Sequence, residues 1–458
     1  MNDATQIEEP TQDAGLDDQM TARIMTAVEA GDSQALSDCL DQLHPADIAD
    51  LLEQISEDER EKLLSLWTGD SVGDVLSELS EGLREGVLDR LAPETLSQAV
   101  RDLDTDDVVD LVEDLDPERQ DAIIEALNAG DRIAVRQALA YPEESAGRLM
   151  QREVVTAPEH WTVGEMIDFL RNAGDLPEQF YHVTLVDPAM RPVADVSLGR
   201  LLAARRTVAL RAITEDSFRT IRVDASDEDV AYVFNQYHLI SAPVVDEAGR
   251  LVGVITIDDA MIVLSDEAEE DLLRLAGVGE GSLFDKPIDT VKARLPWLVV
   301  NLLTAILASV VIARFEDAIT QIVALAVLMP IVASMGGNAG TQSLTIAVRA
   351  LATRDLTGSN VWRVIRREAV VGLINGLVFA VIMAGVGMAW FGSPLLGAVI
   401  GTAMVINLFV AGLAGILVPL CLDKLNLDPA LASGTFVTTV TDVVGFMSFL
   451  GLATLVLL

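Results

Sequence analysis

"TFVTTVTDVVGFMSFLG", residues 435–451, sets a single carboxylate, Asp442, inside an apolar run that reaches from Pro429 to Leu458 with no other acidic residue. A helix needs about 20 such residues to cross a bilayer, so this run can span one. A charge at the centre of a membrane helix costs at least ~2.5 kcal/mol, and something must offset that cost. No Lys, Arg or His lies at the centre of any apolar span of the chain, which rules out an intramembrane salt bridge. The remaining partners are the hydroxyls of Thr435, Thr438, Thr439 and Thr441, backbone carbonyls, or a cation. A protonated Asp442 would suit a proton-coupled carrier, and an ionised one a cation pathway.

Working outward, four further apolar stretches precede this one, giving spans near 295–315, 320–346, 368–391, 395–420 and 431–457. The loop between the second and third holds Arg349, Arg354, Arg363, Arg366 and Arg367, five of the seven basic residues after Arg294. The positive-inside rule puts that loop, and with it the N-terminal part, in the cytoplasm, and the C-terminus outside. The second span contains "PIVASMGGNAGTQSLT", residues 330–345. Its glycines either let neighbouring helices approach closely or break the helix to free carbonyls for a water-filled path. Asn375, Asn407 and Pro419 admit the same two readings, with close packing favoured.

Half of the 458 residues are hydrophobic, yet the formal net charge is −40. Residues 295–458 hold seven acidic and seven basic side chains, so the whole excess lies before them. Such acidity repels nucleic acid and anionic headgroups and attracts cations, or serves solubility alone. Cys39 and Cys421 lie in different regions, which excludes a disulfide framework or a cysteine metal site. Residues 1–19 lack the basic and apolar stretches of a signal peptide and read as a disordered tail.

Residues 20–147 read as an acidic helical solenoid. "LHPADIADLLEQI" from Leu43 and "LDTDDVVDLVEDL" from Leu103 repeat at a spacing of 60, matching Asp47 with Asp107, Asp50 with Asp110 and Glu53 with Glu113. From residue 148 to 263 short β-rich runs (181–186, 220–223, 242–245, 251–256) alternate with helices at 163–172 and 227–237. The unit ending "APVVDEAGRLVGVITIDDAM" resembles a CBS domain, with 149–209 as a poorer first copy. Thr256 and Asp259 match positions that hold a ribose and phosphate in CBS folds, whereas "DVSLGR" of the first copy lacks the acid. Asp266, Glu267, Glu269, Glu270 and Asp271 then crowd what reads as the first turns of a connecting helix, 264–294. The macrodipole favours acids there, but five in six positions exceed what capping requires.

These parts, in this order, resemble the MgtE family of magnesium channels along nearly the whole chain. "YPEESAGRLM", "EAEEDLLRLAGV", "FE" at 315–316, "GGNAGTQS" and "DPALAS…TTVTDVVG" carry the likeness. The resemblance implies a multidomain membrane protein: an α-helical solenoid N domain, an α/β CBS-domain pair, a connecting (plug) helix and a five-span all-α transmembrane domain, 295–458. It implies a homodimeric, non-enzymatic Mg2+ channel of the inner membrane, in contact with lipid and not with nucleic acid. Asp442 would be the pore ion site, lined by Thr438 and Thr439, with Asn338 and Glu316 among the metal residues. Regulatory Mg2+ would be held by Asp259, Glu267, Glu270, Asp271, Glu228, Asp106, Asp107 and Asp110, closing the gate when cytosolic Mg2+ is plentiful. ATP at the CBS pair, through Thr256 and Asp259, is a further implication. Thr435 departs from the proline of many relatives, and Ser226 and Ser265 from their acids. The alternatives are the same architecture carrying Co2+, Mn2+ or Ni2+, a proton-coupled divalent carrier, or a nucleotide-sensing CBS receptor on a passive anchor. The absence of His and Cys near the pore disfavours the softer metals, and no Walker motif is present.

Overall fold

The computed structural model describes residues 16–458 except 68–70, 92, 114, 175, 178, 279–286, 357 and 426. It divides into two compact units, Met1–Ser265 and Asp266–Leu458. Of the expected tail, residues 1–15 lie outside the described ones. Asp17 already caps the first helix, Asp18–Ala30, so residues 18 and 19 are helical.

Among the described residues of the first unit, ten short helices run between Asp18 and Ala138. Polar caps start them, among them Asp17, Asp32, Ser56, Asp116 and Asn128. The apolar side of each faces one core that includes Ile24, Leu36, Leu63 and Leu76. The expected repeat is visible in burial as well as sequence. Helix Pro45–Gln54 buries Ile48, Ala49, Leu51 and Leu52, and helix Thr105–Glu113 buries Val108, Val109, Leu111 and Val112 at the same spacing of 60. Full burial of each Ile, Leu or Val side chain among them stabilises the fold by ~1.5–3 kcal/mol.

The "YPEESAGRLM" junction is a staple. Arg148 forms a 2.9 Å ion pair with Glu113 and donates to the carbonyls of Tyr141 and Leu139. The amides of Ala146 and Gly147 donate to the carbonyls of Ala225 and Val223. A Cβ on Gly147 would stand 2.5 Å from the Tyr141 ring, which is why glycine is needed there.

Two three-stranded sheets follow with one plan. Strand β1 (Thr156–Pro158) pairs parallel with β2 (His182–Val186), which pairs antiparallel with β3 (Pro192–Ser197). Strands β4 (Ile221–Arg222), β5 (Ser241–Val245) and β6 (Leu251–Thr256) repeat that order. Asp187 and Asp246 begin equivalent turns, each accepting amides two and four residues on. The first copy, weaker in sequence, is therefore equal to the second in backbone. At a spacing of 59 the counterpart of Asp259 is Arg200, which pairs with Glu215 at 2.9 Å.

The connector helix runs from Ile257 to Leu275, starting directly after β6. The acidic run therefore begins nine residues inside it, not on its first turns. A macrodipole effect confined to the first turn cannot account for it. Gly277, at φ +70, ends the helix, its amide bonded to the Arg274 carbonyl and that of Val278 to Leu273. The connector expected over 264–294 is thus two helices in its described parts, since Pro287 already opens the first span.

Among the described residues the second unit holds five helices long and apolar enough to cross a membrane: Pro287–Ala313, Ala324–Ala352, Val361–Phe391, Pro394–Lys424 and Pro429–Leu457. At 27–31 residues each extends roughly 40–47 Å. The second span is one helix through its glycine cluster, so close packing is the correct reading and the broken helix is not. A Cβ on Gly336 would stand 2.3 Å from Asn407 Nδ2, and one on Gly415 would stand 2.6 Å from the Gly340 carbonyl oxygen. Asn407, fully buried, donates to the Val332 carbonyl at 2.8 Å and bridges spans two and four.

Candidate functional site

Asp442 lies midway along the fifth span, half-buried, with no hydrogen-bond or ion-pair partner among the described residues. The threonines do not fill that role. Thr438 donates to the Gly434 and Thr435 carbonyls, Thr439 to Thr435 at 2.6 Å, and Thr441 to Thr438 at 3.0 Å. Thr435 donates to Asn301 Oδ1 on the first span at 2.9 Å. The helix backbone takes the protons of Thr438, Thr439 and Thr441, and Asn301 that of Thr435, while the hydroxyl oxygens keep lone pairs for another ligand. Gly337 and Gly340 of span two approach Thr438 and Thr441, which places exposed Asn338 near the same level. Glu316 is not brought there. It opens the short helix Glu316–Gln321, after Phe315, whose ring reaches the level of Gly451. That is nine residues beyond Asp442, about 13 Å along the axis.

A second acidic site sits in the first unit. Asp106 and Asp107 begin helix Thr105–Glu113, and Asp259 follows β6. Burial and the Asp259 charge push Asp106 far above the usual carboxylate range. The same two causes raise Asp107 to about 7, helped by Asp104, Asp110 and Asp74. Burial and Asp258 raise Asp259 to about 6, against a 2.8 Å hydrogen bond from Thr256. Arg84 pairs with Asp110 at 2.8 Å. Among the described residues no three carboxylates converge closely enough to hold a bare ion. The donors are all hard oxygens with excess negative charge, which fits a divalent cation that keeps part of its water shell.

The other expected ligands lie elsewhere. Glu228 is exposed on the first turn of helix Asp227–Tyr237. Glu267, Glu270 and Asp271 are on the connector, and Glu270 is paired with Arg274. Thr256 donates to Asp259 at 2.8 Å, within the second CBS copy. A cavity of about 250 Å³ does open between the two sheets, lined by residues including His182, Asp195, Glu215, Phe218 and Arg219. Across it His182 Nδ1 lies 2.7 Å from Ser241 Oγ, its counterpart in the second copy. The sequence reading did not single out Asp74, Asp104 and Asp258 in the acidic cluster, although "DTDD" and "IDD" were visible signals. It also missed Glu368, buried in span three, which accepts from Ser343 at 2.9 Å.

Comparison with known proteins starts from three family models. Residues 329–452 match the MgtE divalent cation transporter model, 43–144 the MgtE intracellular N domain and 210–266 the CBS domain. The magnesium transporter MgtE of Bacillus subtilis (strain 168) is 31% identical over 95% of this chain and 97% of its own. The chain belongs to the MgtE family. The MgtE of Thermus thermophilus is 34% identical over 96% of this chain and 99% of its own. A crystal structure of the cytosolic domain of the Mg2+ channel MgtE in complex with ATP covers 53% of this chain and 99% of that one, at 31% identity and TM-score 0.49. The MgtE family assignment agrees with the fold: a helical N domain, two sheets of CBS plan and five apolar helices.

Proposed function

We propose that this chain is a Mg2+-selective channel for uptake across the inner membrane, working as a homodimer and closed by cytosolic Mg2+. The observation that carries the reading is the Asp442 carboxylate, unpartnered on a membrane helix of a magnesium-transporter family. Two such carboxylates facing across a dimer axis would hold Mg2+ through its water shell, since this ion sheds water reluctantly. The Thr438 and Thr439 oxygens, with Asn338 nearby, offer further polar contact. An inside-negative potential favours entry by about 4.6 kcal/mol per 100 mV for a divalent ion, so no ATP hydrolysis is required. Arg349, at the end of span two, Arg354 between the spans, and Arg363, Arg366 and Arg367 in the first turns of span three support a cytoplasmic N-terminal unit and a C-terminus outside.

Gating follows from the acidic cluster. Asp106, Asp107, Asp110 and Asp259 repel one another, and Mg2+ between them would draw the N domain and the second CBS copy together. Glu228, Glu267, Glu270 and Asp271 are the further sensor carboxylates. The different affinity of Mg2+ for the two arrangements supplies the switch. For ATP at the CBS pair, Thr256 and Asp259 and the cleft of about 250 Å³ between the two sheets are the candidate places. Voltage-clamped bilayers containing the full chain test the transport reading. Currents should follow voltage and the Mg2+ gradient and stay unchanged by a pH gradient. Flux driven by the pH gradient would instead establish a proton-coupled carrier.

A further inference from the structure

The connector helix ends on an ion pair that the sensor cluster does not explain. Arg274, in its last turn, pairs with Glu270 one turn back, and its other guanidinium nitrogen lies 3.0 Å from Asp428 Oδ2. Asp428 is the cap of the fifth span: its Oδ1 accepts from the Ala430 amide at 2.7 Å. Its Oδ2 is closed to solvent and has no aligned hydrogen-bond donor, so the nearby guanidinium charge is what compensates it. Leu275, the next residue, packs with Leu344, Val348, Ala430 and Val437. The Leu275 carbonyl oxygen lies 3.7 Å from where a Cβ on Gly434 would stand. Asp442 is eight residues further along the same helix, about 12 Å.

We propose that Arg274 is a positioning residue that fixes the end of the connector to the start of the pore helix. It is a cation built into the chain, holding Glu270 and Asp428 together where two bare carboxylates would repel. It touches neither the transported ion nor Asp442 and acts through Asp428 and the helix that Asp428 caps. The inference rests on reading the connector as the arm that moves the gate. Arg274 keeps that arm engaged with span five, so that Mg2+ bound on the cytoplasmic side is felt at the pore.

Full-length protein in liposomes tests this by Mg2+ flux against internal Mg2+. Asp428→Asn keeps the cap acceptor and removes only the charge, and Arg274→Gln removes the cation. Each should raise the internal Mg2+ needed for half-closure about fivefold, as loss of one partly shielded ion pair would. The double variant should shift it no further, Arg274→Lys should restore part of the shift, and maximal flux without internal Mg2+ should be unchanged. An unchanged midpoint, additive shifts, or equal loss of flux at every Mg2+ level would overturn the proposal. The contact is also read without transport. In a Cys39→Ser, Cys421→Ser background, Leu275→Cys and Gly434→Cys should cross-link in membranes, and Arg274→Gln should slow that reaction. An equal rate overturns the proposal. Wild-type flux indifferent to internal Mg2+, with cross-linking still dependent on Arg274, would remove the gate and leave the positioning role standing.

Discussion

The acidic cluster of the first unit and Asp442 of the fifth span both hold carboxylates partly away from water, and they do so in opposite company. Asp106, Asp107 and Asp259 are surrounded by other acids: besides burial, Asp259 raises the proton affinity of Asp106 and Asp107, and Asp258 and Asp110 raise that of Asp259. Asp442 stands alone on an apolar helix whose threonines have turned their protons to the backbone. A crowd of acids is a site whose occupancy changes the shape of the protein, because repulsion stores the drive to separate. A lone acid is a site whose occupant can come and go without moving anything. The first suits a sensor, and the second a pore.

That contrast can be broken from the membrane side first. Gly336→Leu, which drives a side chain into Asn407, should cost about 3 kcal/mol or more and abolish a folded membrane unit. Gly385→Ala, where nothing lies within 4 Å, should be tolerated. Thermal unfolding in detergent distinguishes them. If both variants unfold alike, span two does not pack against span four in the way described.

The soluble cluster makes the next prediction. Replacing Asp106, Asp107 and Asp259 together with Asn should stabilise the Mg2+-free protein by about 2 kcal/mol at pH 8 and erase stabilisation by Mg2+. Its pH dependence has a definite sign. Asp107 and Asp259 hold their protons to about 7 and about 6 when folded, but ionise near 3.8 in the unfolded chain. The folded state therefore binds more protons in that interval, and Mg2+-free stability falls as pH rises from 4 to about 7. Saturating Mg2+ should flatten the slope. Denaturant titrations across pH, with and without Mg2+, measure both effects.

The smallest effect sharpens the comparison. Asp195 is buried without a crowd, pushed up to about 7 by burial, with one oxygen unpartnered. Asp195→Asn should stabilise the protein by roughly 1 kcal/mol at pH 8 and leave its response to Mg2+ untouched. A lost Mg2+ response would mean that the sensor reaches into the cleft between the two sheets.

Much of this was legible in the residues. β6 and the helices at 163–172 and 227–237 fall where alternation and caps put them, because local signals and burial agree there. Asp442 was visible as an unpaired charge without any structure. The acidic run was misplaced because its charges interrupt the apolar pattern, so the helix seemed to start with them although it starts at Ile257. Glu368 was overlooked because Arg363, Arg366 and Arg367 look like loop, whereas span three already begins at Val361. The direction of the threonine hydroxyls is a matter of helix geometry that composition does not carry. The pairing of Arg274 with Asp428 joins residues 154 positions apart in sequence, and no local pattern announces it.

The central claim is that Asp442 holds the ion in transit. It is tested most directly by Mg2+ uptake into liposomes containing wild type or Asp442→Asn, at matched protein and internal Mg2+ held near zero. Asn keeps the size and polarity of the side chain and removes only the charge. Uptake should fall about tenfold or more, equivalent to losing at least about 1.4 kcal/mol of interaction with the ion. Uptake equal to wild type in the folded variant would contradict it.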